Sequence, residues 1–123
     1  MGARSRSGWT ANRAEIHDDN ADGVTTWEIG FLTPSAQYIG MTQGIAADAG
    51  WVAAQLQGVR PTGQALYGGL EWTIYDQRAA KDPGNHAYSL VTTTGGSTYL
   101  LSGTAPNAEF QTLAESIAAE VTT

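Results

Sequence analysis

The sequence predicts an α+β domain: a single, mainly antiparallel sheet of about six strands with two helices packed on one face, in the order βββ-α-βββ-α. Three observations carry this expectation. Trp27, Ile29 and Phe31 alternate with Thr26, Glu28 and Gly30, the period-two pattern of a strand buried on one face. The pattern returns in Leu70-Glu71-Trp72-Thr73-Ile74. Towards the C-terminus, Phe110, Leu113, Ala114, Ile117, Ala118 and Val121 recur at spacings of three and four, one apolar stripe along a helix. Short connections favour hairpins, and amphipathic helices laid on a one-sided sheet give two layers around one core.

Each element follows in turn. Thr10 to His17 reads as a short first strand with Ala14 and Ile16 facing the core. A polar loop, His17 to Gly23, is made of residues that bond their own backbone or tolerate positive φ. The Trp27 strand ends at Thr33-Pro34-Ser35-Ala36, which turns into a third strand, Gln37 to Gln43, completing a hairpin. Asp48 is placed to cap a helix running to Gln57, with Val52 and Leu56 on one face and Gly58 just past the end. After the linker Arg60 to Gly63, Leu66 to Tyr75 reads as a fourth strand, with Gly68-Gly69 as a bulge or tight bend near its start. Gln77 to Asn85 is an exposed connection. Ala87 to Thr93 and Thr98 to Thr104, joined through Gly95-Gly96, form a second hairpin. Asn107 is placed to cap the last helix, and Glu109 suits the positive end of its dipole.

Composition narrows the functional classes. At 123 residues, 41% hydrophobic and 15% charged, the chain reads as one ordered domain over residues 8–123. Residues 1–7 read as a flexible leader or a remnant of expression. A net charge of −6 argues against nucleic acid, whose binding needs clustered Lys and Arg, and this chain has six in all. Cysteine is absent, which removes disulfides, thiolate nucleophiles and Cys-based metal centres. No run approaches the roughly 18–20 apolar residues that span a bilayer as a helix.

The motifs that carry chemistry are incomplete. Asp18, Asn20, Asp22 and Gly23 match positions one, three, five and six of a calcium loop. Position twelve, where a bidentate glutamate belongs, falls on Ile29; Glu28 is adjacent but points to the other face. His17 and His86 are the two histidines, each with carboxylates close in sequence, and both read as solvated loop ends. No Gly-x-Ser-x-Gly elbow, His-x-x-x-His pair or phosphate loop occurs. No catalytic residues, metal or cofactor are therefore expected.

Aromatics are the richer signal, with four Trp and five Tyr. Trp27 and Trp72 occupy apolar strand faces and are expected in the core. Trp9 precedes the first strand and Trp51 lies in the first turn of the first helix, where each can line a cleft or an interface. With Tyr38 and Tyr67 they form the candidate binding set.

The assembled pattern resembles a known family. Gly8-Trp9, Trp27 to Pro34, Tyr38 with Gln43, and Trp51-Val52 with Gln55 resemble its first half. Gly69 to Trp72 with Tyr75, Leu90-Val91, Ser102 to Ala105 and Leu113 to Ile117 resemble its second. The family is domain-of-unknown-function family 4245, found in actinobacteria. The resemblance implies an N-terminal membrane anchor, absent from this chain, and a domain outside the cytoplasm; it supplies no catalytic residues. Members often place Leu-Pro before the Gly-Trp pair, where this chain has Arg6-Ser7. The element order is also similar to the PsbP-like fold, an analogy of fold alone.

The expected function is a non-enzymatic envelope module that binds a protein or cell-wall component through Trp9, Tyr38, Trp51 and Tyr67. Two other readings are a carrier of a small apolar ligand or lipid between sheet and helices, and a hydrolase using carboxylates such as Asp18, Asp22 and Glu28.

Overall fold

The computed structural model describes residues 9–17, 24–46, 49–56, 60–77 and 87–121. Seven strands form one antiparallel sheet: β1 (Thr10–His17), β2 (Thr25–Leu32), β3 (Tyr38–Ile45), β4 (Gly63–Tyr67), β5 (Leu70–Asp76), β6 (Tyr88–Thr94) and β7 (Ser97–Gly103). The helices are α1 (Ala49–Gln55) and α2 (Asn107–Val121). In space the strands run β1-β2-β3-β7-β6-β5-β4. Two meanders are thus joined where β3 meets β7, and the chain crosses from β3 to the far edge, carrying α1 on the way.

The element order is βββ-α-ββββ-α, one strand more than the sequence reading gave. The extra strand arises at Gly68-Gly69. Both glycines have positive φ, 62° and 87°, as a two-residue type I′ hairpin requires. The segment read as one bent strand is therefore a hairpin, with Tyr67 opposite Leu70 and Gly63 opposite Ile74. Gly95-Gly96, at φ 59° and 81°, makes the β6–β7 turn in the same way.

The two helices lie on opposite faces of the sheet, which corrects the expectation that both cover one. Leu90 and Leu101, directly opposite each other, belong to the core that includes Phe110, Leu113, Ala114 and Ile117 of α2. Their sequence neighbours Val91 and Leu100 pack instead with Trp51 and Leu56, in and just after α1. Because side chains alternate along a strand, these two pairs face opposite ways. Strands β6 and β7 are consequently buried on both faces, and their hydroxyls find partners: Ser89 Oγ to Ser102 Oγ at 2.8 Å, Thr93 Oγ1 to Thr98 Oγ1 at 3.1 Å, and Thr92 Oγ1 donating to the Glu71 carbonyl at 2.8 Å. A buried hydroxyl left unbonded would cost about 1–3 kcal/mol.

The larger core is closed by edge-to-face rings, Trp9 on Phe31 with centroids 6.3 Å apart and Tyr88 on Phe110 at 4.8 Å. At the start of α2 the carbonyl of Pro106 accepts from the N–H of Phe110, so Pro106 holds the capping position and Asn107 is the first helical residue. Glu109 reaches out of the helix to the β2–β3 turn, accepting from the Ser35 N–H at 3.1 Å and its hydroxyl at 2.8 Å. The caps expected of Asp48 and Gly58 lie outside the described residues, as do the Asp18–Gly23 loop, His86 and residues 1–8.

Candidate binding surface on the open half of the sheet

On its own face of the sheet α2 leaves one corner uncovered, although Ile29, Phe31, Ile39 and Met41 of β2 and β3 are buried in its core. Through Glu109, α2 is tied to the β2–β3 turn at one end of the strands. Its last turns reach the β4–β5 turn at the other end and the far edge, where a Cβ placed on Gly68 would sit 2.6 Å from that of Ala118. A helix of 15 residues, about 22 Å long, therefore crosses the sheet diagonally. The corner formed by the start of β2 and the ends of β1 and β3 lies off that diagonal.

On the α2 face of this corner stand Ile16, Trp27 and Ile45. Ile16 is directly opposite Trp27, and Ile45 is its diagonal neighbour on β3. They are 52%, 39% and 41% exposed respectively. Trp27, expected in the core, is therefore a surface side chain, because its strand face outruns the helix that covers the rest.

On the other face of the same three strands is a cleft of about 180 Å³. Gly30 and Gly40, directly opposite each other, form its floor. The Tyr38 ring leans across Gly40, so that a Cβ added there would meet the phenol oxygen at 3.0 Å. Glu15, Glu28 and Thr42 complete the walls, and Glu15 is opposite Glu28 in the β1–β2 register. Beside them His17 shares the face of Glu15, two residues along β1. His17 Nε2 lies 3.2 Å from Glu15 Oε1 and 3.7 Å from Glu28 Oε1.

The four aromatics expected to form one binding set are not brought together. Trp9 is buried against Phe31 in the α2-side core, and Trp51 is buried in the α1-side cluster. Neither offers an open ring. Tyr67 is half-buried against the α2-side core. Tyr38, 41% exposed, remains available as a cleft wall. Of the acids weighed for hydrolysis, Asp18 and Asp22 lie outside the described residues, and Glu28 faces Glu15 and His17. Position twelve of the calcium pattern, Ile29, is buried in the core.

The sequence reading placed Ala14 and Ile16 against the core, whereas both are exposed where the face of β1 lies beyond α2, and it missed Ile45 and the Glu15–His17–Glu28 group. The last was half visible: Glu15 and His17 are two apart, so a strand puts them on one face. Glu28 joins them only through register. Among the described residues no helix is long and apolar enough to cross a membrane.

No curated protein and no solved structure matches the chain. Residues 4–117 match the family described as Protein of unknown function (DUF4245), a span that holds all seven strands, both paired-glycine turns and the terminal helix as far as Ile117. By that match, which covers most of its length, this chain belongs to the DUF4245 family.

Proposed function

We propose that this domain is a non-enzymatic binding module of the cell envelope, held outside the cytoplasm by an N-terminal anchor and engaging a protein partner through Ile16, Trp27 and Ile45. The observation that carries the reading is the contiguity of these three side chains on one open sheet corner. Single exposed apolar residues are ordinary on a protein surface, whereas clustered ones mark interaction sites. Trp in particular supplies large contact area at an interface. The acidic, lightly charged composition leaves apolar contact as the main source of affinity. The envelope location and the anchor rest on the family resemblance.

The cleft beside Tyr38 favours a second reading, in which the same half of the sheet holds a polar segment of a cell-wall component. An aromatic face flanked by carboxylates and a hydroxyl suits a hydroxyl-rich chain better than an acyl chain. A carrier of apolar ligand draws less support, since the walls of this cleft include Glu15, Glu28 and Thr42.

The test is site-specific photo-crosslinking in the anchored, full-length protein within its native envelope. A crosslinker at position 27 is expected to give a discrete adduct, lost when Ile45 is replaced by Ser. The same group at Ala119, exposed on the outer side of α2, is the control. Equal labelling from positions 27 and 119 would remove the apolar corner as the partner surface.

A further inference from the structure

We propose that Glu15, His17 and Glu28 form a binding site for a divalent transition-metal ion of the zinc class. Their ligand atoms all lie within 4.8 Å of one another. The site is built by register rather than by loop conformation: Glu15 and His17 share one face of β1, and Glu28 is the direct cross-strand partner of Glu15. The β1–β2 ladder therefore holds the three Cβ positions before any ion arrives.

The donor set selects the ion. Imidazole nitrogen and carboxylate oxygen are both donor types that zinc accepts, and hard ions such as calcium and magnesium favour all-oxygen sites. Donors bound to zinc at about 2.0–2.1 Å are about 3.3–3.4 Å apart at the corners of a tetrahedron. The observed separations of 3.2 and 3.7 Å from His17 Nε2 lie on either side of that spacing. Small side-chain rotations would bring all three onto one ion.

Two features separate this group from an ordinary solvated acidic surface. The imidazole nitrogen is aimed at both carboxylates, one on its own strand and one on the next. Glu15 and Glu28 also line the glycine-floored cleft, so an ion bound to them would have a fourth coordination position on its open side. Directly opposed carboxylates repel each other, and a cation bound to both would relieve that repulsion.

The test is calorimetric titration of the purified chain with Zn²⁺ alone, alongside His17→Ala, Glu28→Gln and His86→Ala. One ion per chain is expected. Affinity should fall more than about tenfold in His17→Ala and in Glu28→Gln, and be unchanged in His86→Ala. Circular dichroism of His17→Ala and Glu28→Gln should match the parent, because both replaced side chains are partly exposed. If a variant fails to fold, broadening of the His17 imidazole resonances by Co²⁺ in the parent chain gives an independent reading. Absence of saturable binding, or binding that survives in both His17→Ala and Glu28→Gln, overturns the proposal. Loss in His86→Ala alone does so as well, by placing the ion elsewhere.

Discussion

Tyr99 shows what burial does to a single polar group. Its ring is buried beside Gln43 and Thr92 in the sheet, and burial pushes its phenol above the ordinary value of 10.0, with a hydrogen bond to Ser97 acting the other way. The charged phenolate is the form that burial disfavours. Between the unfolded and folded values, the unfolded chain has lost the proton and the folded chain retains it. Stability therefore holds below pH 10 and declines as pH rises through the folded value. Chemical denaturation across the alkaline range should show a shallower decline for Tyr99→Phe, which has no proton to lose. Parallel curves would mean that Tyr99 does not set the alkaline limb. At the same scale, the four tryptophans show where residue type misleads. Trp72 is fully buried, as its alternating neighbours imply, but Trp27 is at the surface and Trp9 and Trp51 are inside. Alternation states which face a side chain takes, and says nothing about whether that face is covered.

The decisive element is the β4–β5 hairpin, because its turn also receives the end of α2. Gly68 and Gly69 both adopt the left-handed backbone, yet only Gly68 lies against the helix: an added Cβ would meet Ala118 at 2.6 Å, whereas one on Gly69 has nothing within 4 Å. Gly69→Ala should therefore cost only the backbone term, about 1–2 kcal/mol. Gly68→Ala adds overpacking of about 1–3 kcal/mol. Thermal or denaturant unfolding should rank the two in that order, and Ala118→Gly should recover part of the Gly68→Ala loss. Equal costs, or no recovery, would mean that the helix does not press on the turn. Gly103 is a second place of close approach, where a Cβ would run into the backbone of β3 at Tyr38. That contact lets β7 carry the chain directly over β3 into α2. In the sequence, Gly68 reads only as part of a bulge or tight bend and Gly103 only as a residue of the last strand.

For the whole molecule, the arrangement of helices sets a gradient of stability across the sheet. β6 and β7 are sandwiched between the two helices, while β1 and β4 are edges. β1 is also interrupted by a register shift between Ala11 and Arg13, a bulge of the kind that blunts an edge. Amide exchange should be slowest in β6 and β7 and fastest in β1 and β4, since opening free energy follows buried apolar contact. Protection as high in β1 as in β7 would contradict this account of the core. The less protected β1 edge also carries Ile16 of the apolar corner, Glu15 of the cleft and His17. Placing these groups at that edge leaves the sandwiched strands to hold the fold.

Local patterns of the sequence determined the class of the fold, the alternation of β2 and β5, the Gly95-Gly96 turn and the apolar stripe of α2. Each depends on neighbours within a few residues, where period and turn chemistry are directly legible. The resemblance of the strand aromatics and the helix stripe to one family was legible as well. Tertiary structure alone decided that the helices take opposite faces, that α2 runs diagonally, and that Trp27 rather than Trp9 or Trp51 meets solvent. It alone brought Glu28 of β2 beside Glu15 and His17 of β1. These outcomes depend on cross-strand register and on where a helix of fixed length comes to rest, quantities set by packing between segments far apart in the chain.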